Sequence, residues 1–310
     1  MDKRLSGGKA TSEELVALDT VITAGAPADL LLPALHALND RIGWISRGAL
    51  DEICRRLDLA PATAFGVASF YGLFATEPRP PTVAYVCDDV PCRMAGALDV
   101  IDALADPSGE WTWERTPCLG LCDHAPAALL GGLGGRALGD ATARSVTAAA
   151  AAALAGDVGS EPPPVRVSGV GELRLLARVN RVEPTDADAY AQAGGFAGLR
   201  RAREIGPEAV VAEITESGLI GRGGAAFPAG VKWAAVSASN EPVRFLVCNA
   251  DESETGTFKD RVLLEGDPFA ILEGMAIAAF ACGVTTSYLY LRGEYPHARA
   301  RLEQAIAHFR

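Results

Sequence analysis

The sequence predicts an α/β protein in which a helical bundle leads into one small α/β layer and, past a linker, into a second α/β domain. Three observations carry this reading. Apolar residues recur at helical spacing from Ser12 to Phe74. Two strand-like runs, Thr82–Val86 and Trp111–Thr116, each end in a cysteine-bearing loop. Two more, Val243–Cys248 and Ser287–Leu291, flank an apolar helical stretch over Pro268–Cys282. At 310 residues the chain has length for about two domains and for real cores.

In chain order, residues 1 to about 12 are polar and glycine-bearing, as a frayed start is. Leu30, Leu31, Leu35 and Leu38 form one apolar stripe, and Leu50, Ile53, Cys54 and Leu57 a second. Pro61 suits the first position of a third helix running through Phe65, Val67 and Phe70. Glu77–Pro81 closes the bundle. A helix near Met94–Ala105 and an alanine-rich helix over Ala141–Leu154 complete the first α/β layer. Asp157–Pro164 reads as a linker. Beyond it we expect a strand at Leu173–Val179 and helices near Asp186–Arg203 and Pro207–Ser217.

Composition narrows the function classes. The chain is 49% apolar and 22% charged, as soluble globular proteins are. A net charge of −11 argues against nucleic-acid binding and against adhesion to an anionic membrane. No apolar signal segment opens the sequence, and the clustered cysteines suit a reducing, cytoplasmic interior. Gly274–Leu291 runs 18 residues without a charge, but Gly283, Thr285, Thr286 and Ser287 divide it into a buried helix and a strand. No direct membrane insertion follows.

The chemistry concentrates in four cysteines, Cys87 and Cys92 in a C-x4-C loop and Cys118 and Cys122 in a C-x3-C loop. Thiolates on two adjacent loops can converge on one centre, and as soft ligands they favour iron–sulfur clusters or zinc. The 2Fe–2S reading fits these spacers better than an all-cysteine zinc site, whose usual knuckle is C-x2-C. A disulfide pair and four unrelated buried cysteines are the remaining alternatives. Gly120 would let the backbone approach a cluster, or be a plain turn glycine. His124 reads as a polar neighbour, Trp111 and Trp113 as packing, and Cys54, Cys248 and Cys282 as core.

A second chemical stretch is Gly221–Trp233, a glycine-rich loop carrying Arg222 and Lys232. It contains G-x-G-x-x-A but follows a helical segment, so it fails the context of a dinucleotide fingerprint. Bare amides there can still cradle phosphates or lie under a flat ring, with Lys232 on a phosphate and Phe227 stacked on a ring. A surface loop is the bland alternative. Asn249, Asp251, Glu252 and Glu254 follow a strand, where acidic and amide groups suit hydroxyl-rich ligands or form a solvated turn. Gly293 and Glu294 follow the next strand in the same way.

Together these stretches resemble two modules of respiratory complex I. Gly43–Ser46, Gly66–Tyr71 and the four cysteines resemble the 24 kDa-type 2Fe–2S subunit. Gly221–Trp233, Cys248–Glu254 and Tyr290–Tyr295 resemble the start of the 51 kDa-type flavoprotein subunit, in a fusion similar to NAD-dependent formate dehydrogenases and NAD-reducing hydrogenases. The resemblance implies a helical bundle over 12–78, a thioredoxin-like 2Fe–2S ferredoxin domain over 79–156, a linker over 157–170 and the N-terminal part of an FMN/NADH-binding flavoprotein domain over 171–310. It implies that Cys87, Cys92, Cys118 and Cys122 hold a 2Fe–2S cluster. Gly221, Arg222, Gly223, Gly224, Phe227, Lys232, Glu252 and Glu254 would meet NAD(H) and the flavin. Asn249, Asp251, Gly293 and Glu294 would line the FMN pocket. Glu252, the implied catalytic residue, would act by charge and shape.

The implied function is an NADH dehydrogenase-type oxidoreductase, a diaphorase subunit working with iron–sulfur and dehydrogenase or hydrogenase subunits of a larger complex. It would sit in the cytoplasm or at the cytoplasmic face of a membrane complex. Thr255 stands where the family usually has proline, and Ala226 and Ala229 replace its glycine and threonine. The family continues into further FMN contacts and a 4Fe–4S motif beyond the stretch matched here. This implies a fragment or a chain completed by a partner. The alternatives are a 2Fe–2S electron-transfer protein with a non-catalytic flavoprotein stub, and a zinc-bound scaffold.

Overall fold

The computed structural model describes residues 8–23, 25–104, 109–131, 135–157, 163–167 and 173–309. The described residues form two compact units: residues 1–163 with Ser253–Phe258 and Gly293–Pro296, and residues 164–252 with Lys259–Arg292 and His297–Arg310. Most of the expected linker lies outside the described residues.

The first unit opens with four helices, α1 (Ser12–Asp19), α2 (Leu31–Ile42), α3 (Arg47–Leu57) and α4 (Pro61–Phe70). Local signals set their ends. Thr11 and Glu14 form a capping box on α1, Ser46 Oγ accepts from Ala49 N at 3.0 Å, and Pro61 occupies the first turn of α4. Helix α2 stops at Gly43, at φ 95°, because a Cβ there would stand 2.6 Å from the Pro80 carbonyl oxygen. Leu18, Leu35, Leu38, Leu50 and Ile53 bury fully between the helices, with Cys54 among them as expected.

The α/β part follows: β1 (Thr82–Cys87), α5 (Val90–Met94), α6 (Ala97–Ala103), β2 (Trp111–Thr116), β3 (Ala128–Leu130), β4 (Arg136–Leu138) and α7 (Ala143–Leu154). The sheet order is β2-β1-β3-β4, with β1 and β2 parallel and the other two pairings antiparallel. The helix expected near Met94–Ala105 is two short ones, broken at Gly96, which sits at φ 93°. The three-residue β4 is too short to carry a sequence period and was not anticipated.

Arg79 ties the bundle to the sheet. Its guanidinium donates to Gly43 O at 2.8 Å and Leu73 O at 2.9 Å in the bundle. On the sheet it reaches the Tyr85 hydroxyl at 2.7 Å and Glu114 Oε1 at 2.8 Å. Tyr85 passes a further bond to Leu73 O at 2.8 Å, and burial pushes its phenol up to about 12.

The second unit holds α8 (Ala187–Gln192), α9 (Ala197–Ile205), α10 (Pro207–Glu216), α11 (Ala229–Ser237), β5 (Phe245–Ala250), α12 (Lys259–Gly266), α13 (Pro268–Cys282), β6 (Thr286–Leu291) and α14 (Pro296–Phe309). Helix α13 touches α9, α10, α11, α12 and both strands, which is why its sequence is apolar on nearly every side. The expected strand at Leu173–Val179 is instead a run of turns. Its residues do not alternate in burial: Leu175 is exposed, and Arg178 Nε turns to Asp267 Oδ2 at 2.8 Å. The helix expected over Asp186–Arg203 breaks at Gly194 and Gly195. A Cβ on Gly195 would stand 2.2 Å from the Tyr190 ring. Glu273 of α13 then caps α9, accepting from Phe196 N at 2.8 Å, Leu199 N at 2.9 Å and the Tyr190 hydroxyl at 2.5 Å.

Two outcomes follow. Arg79→Ala leaves two carbonyls and the Tyr85 hydroxyl short of a donor, and should cost the first unit roughly 3 kcal/mol in urea denaturation, with Arg79→Lys restoring only part. His297 of α14 is held down to about 4 by burial and by the Arg301 and Arg261 charges. The unfolded chain, titrating near 6.5, therefore binds the proton first. Stability from this group is complete above pH 6.5 and declines as pH falls toward 4. Chemical denaturation of His297→Gln should show a shallower loss across that window than the unaltered chain.

Candidate functional site

The cysteine site is made by strand register. Parallel pairing sets Cys87 opposite Thr116, so β1 and β2 finish level and their loops start side by side. The first loop turns at once into α5, whose N-terminus Asp89 caps by accepting from Val90 N at 2.8 Å, and this delivers Cys92 back toward Cys87. The second loop carries Cys118 and Cys122, whose sulfurs lie 3.3 Å apart.

The four thiols act on one another's ionisation, Cys87 with Cys118 and Cys92, and Cys122 with Cys118. Cys118 is driven down by the bonds from Cys122 and Cys87, and Cys92 by the bond from Cys87. Cys87 and Cys122 are held up by the same neighbours and by burial. Backbone amides also favour the charged form of the sulfurs. Gly120 N meets Cys118 Sγ at 3.4 Å, Ala127 N serves Cys92 and Asp89 N serves Cys87. Gly256 N serves both Cys118 and Cys122. Four adjoining thiols with amide donors fit a thiolate-ligated cluster, because those donors favour the charged sulfurs a cluster needs.

Gly120 sits at φ 68°, and a Cβ there would lie 2.2 Å from the Tyr295 hydroxyl. The glycine is required both by conformation and by that close aromatic. His124 is buried, with ring nitrogens 3.4 Å from Asp140 and 3.6 Å from Asp123, so it is the polar neighbour the sequence implied. Sequence reasoning passed over Asp89, Ala127, Gly256 and Tyr295. Their roles depend on backbone atoms and on contacts between segments far apart in the chain, and no residue pattern announces either.

In the second unit β5 and β6 are parallel, with Ala250 opposite Leu291. Asp251 and Glu252 therefore emerge beside Arg292, whose Nη1 donates to the Glu252 carbonyl at 2.5 Å. Glu252 is only 2% exposed. Its carboxylate caps α12, accepting from Asp260 N at 2.9 Å, Arg261 N at 3.1 Å and Lys259 Nζ at 3.2 Å. Asn249 Oδ1 accepts from Asp251 N at 3.1 Å, and both residues are exposed. Glu254, Gly293 and Glu294 belong to the first unit.

The glycine-rich loop is closed at its base by Gly221 N to Phe227 O at 2.9 Å and Ala229 N to Leu219 O at 2.8 Å. Arg222, Gly223, Gly224 and Phe227 are exposed. A Cβ on Gly223 or Gly224 would meet nothing within 4 Å, so no side chain or backbone packs against that side of the loop. Lys232 Nζ stands 5.6 Å from the Phe227 ring centre, a cation over an aromatic face. Ala226, at φ 51°, holds a left-handed conformation that the glycine of the resembled family would adopt without strain. An exposed glycine-rich loop with a lysine beside it fits a phosphate or a flat ring.

Comparison with known proteins agrees with both halves. Residues 20–153 match the family described as thioredoxin-like [2Fe-2S] ferredoxin, and residues 214–310 match the Nuo51 FMN-binding domain. An NADH-quinone oxidoreductase component from Rhizobium meliloti is 50% identical over 134 residues, 43% of this chain and 32% of its own length. The NAD-reducing hydrogenase HoxS subunit alpha of Cupriavidus necator is 31% identical over 295 residues, 90% of this chain and 48% of its own. A crystal structure of an air-oxidized NAD+-reducing [NiFe]-hydrogenase aligns over 90% of this chain and 48% of that one, at 30% identity and a TM-score of 0.71. The chain spans half or less of the length of these relatives.

The Glu252 geometry yields a stability test. Glu252→Ala removes the cap of α12 and the partner of Lys259, and should lower stability by about 2 kcal/mol in thermal or chemical melts, whatever its effect on turnover.

Proposed function

Because the chain joins a thioredoxin-like 2Fe–2S domain to a Nuo51 FMN-binding domain, we propose that it is an NADH-linked diaphorase subunit. In this reading it passes electrons between NAD(H), FMN and iron–sulfur centres within a larger redox complex. The observation that carries the reading is one polypeptide presenting four converging, amide-solvated thiols together with a glycine-rich loop and acidic strand ends. The relatives named as parts of NADH-quinone oxidoreductase and NAD-reducing hydrogenase support it.

Cys87, Cys92, Cys118 and Cys122 would hold the 2Fe–2S cluster, with the amides of Gly120, Ala127 and Gly256 spreading the charge of its thiolates. Arg222, Gly223, Gly224, Phe227 and Lys232 would receive phosphate and ring, while Asn249, Asp251, Gly293 and Glu294 would take ribityl or ribose hydroxyls. Glu252 and Glu254 would act by charge and shape, with Glu252 keeping the strand end rigid through its cap on α12. Bound FMN supplies the conversion between two-electron hydride chemistry and single-electron transfer. Partner iron–sulfur and dehydrogenase or hydrogenase subunits would complete the route, in the cytoplasm. No helix among the described residues is long and apolar enough to cross a membrane.

Anaerobically purified chain should carry about two irons, as one 2Fe–2S centre requires, together with FMN whose absorption bleaches on adding NADH. Cys118→Ser should abolish the iron. Zinc in place of iron would overturn the redox reading, and iron without flavin would favour the electron-transfer protein over the diaphorase.

A further inference from the structure

The second cysteine loop is held from two sides. Leu119 and Leu121, which flank Gly120, are buried in the core that also contains Cys87 and Cys92. Gly120 itself is buried, and over it stands Tyr295, from the segment Gly293–Pro296 of the same compact unit. The three atoms nearest a Cβ on Gly120 all belong to that side chain: the hydroxyl oxygen at 2.2 Å, Cε1 at 2.5 Å and Cζ at 2.7 Å. Tyr295 is only 1% exposed.

The segment that delivers Tyr295 is pinned at its other end. A Cβ on Gly293 would stand 3.2 Å from Leu73 Cδ1 and 3.9 Å from His36 Cε1, so its backbone rests on residues of the bundle side. The first cysteine loop receives a distant contact of its own, the Thr255 hydroxyl donating to Asp89 Oδ2 at 2.6 Å. Tyr295 is the counterpart on the second loop, and it falls on the residue whose backbone donates to a ligand: Gly120 N meets Cys118 Sγ at 3.4 Å. A glycine at φ 68° has no side chain to lock its backbone, and the phenol packed against it removes that freedom.

We propose that Tyr295 is a positioning residue for the cluster: by bearing on Gly120 it keeps the Gly120 N–H on Cys118 Sγ, and so holds the reduction potential of the 2Fe–2S centre up. A hydrogen bond to a ligand sulfur offsets the negative charge gained on reduction, so weakening that bond moves the potential down. Gly293 and Glu294, assigned above to the flavin pocket, directly precede Tyr295, so one short segment serves both centres. This inference rests on the 2Fe–2S reading above.

The test is an EPR-monitored redox titration of the anaerobic full chain, with iron content and melting temperature measured alongside, for Tyr295→Phe and Tyr295→Leu. Tyr295→Phe removes the one atom nearest Gly120. It should keep its iron and 2Fe–2S spectrum while its midpoint moves to lower potential. Tyr295→Leu, which also removes the ring edge, should move the midpoint further, and if it fails to fold the Tyr295→Phe midpoint decides alone. A tyrosine that only packs would lower the melting temperature and leave the midpoint in place, and that result would overturn the inference. So would loss of iron from Tyr295→Phe, which would make the phenol a requirement for holding the cluster and not for tuning it. An unaltered chain without any 2Fe–2S signal would overturn the functional reading itself, so the two failures are told apart.

Discussion

The parallel pairing of β1 with β2 is the constraint on which the cysteine-bearing half depends. With Cys87 level with Thr116, two loops leave the sheet at one edge and at one height. Slipping this pairing by one residue would turn every side chain of a strand to the opposite face and separate the loops' starting points. Register in turn is set by burial: Val83, Ala84, Tyr85 and Val86 are all enclosed, with the bundle side served by Tyr85 and the α7 side by Ala84 and Val86. The bundle's role follows from this. Arg79 bonds to carbonyls of the bundle and to side chains on β1 and β2, so the helices act as a brace behind the strands that carry the cysteine loops.

The second unit uses the same device with different chemistry. Its two parallel strands end level, at Ala250 and Leu291, and α13 supports them from behind. What emerges at their ends is polar, and it is held by helix-capping and by Arg292, with no thiolate involved. Glu252 illustrates how a candidate site residue can also be structural. Buried and saturated with donors, it gives α12 its N-terminus, and that anchoring fixes where the acidic turn begins. Placement of charge and maintenance of fold are here the work of one carboxylate.

Much of this was legible in residue order. The helices of the bundle could be read because apolar spacing and the proline signal at Pro61 are local, while the caps at Thr11 and Ser46 came from the structure. The uncharged stretch to Leu291 divided into helix α13 and strand β6 as its composition implied. The strand expected at Leu173–Val179 did not form, since a strand needs a partner and Arg178 of this segment is committed to Asp267. The break between α8 and α9 was missed because it is enforced by Tyr190 against Gly195 and by Glu273 from a distant helix. Those are tertiary contacts that no window of local sequence contains.

Residue identity and spacing decide which atoms are available: four thiols in two short loops, open glycine amides beside a lysine, and carboxylates at strand ends. These are local covalent facts, and chemistry can be argued from them directly. Only the fold decides which atoms meet. The backbone donors of Ala127 and Gly256 carry no side-chain signature, and Asp89 and Thr255 are 166 positions apart. Hydrogen bonds act over about 3 Å of space, whatever the distance along the chain. Which backbone donors surround the cysteines is therefore determined by packing, even where the cysteines themselves can be read from the sequence.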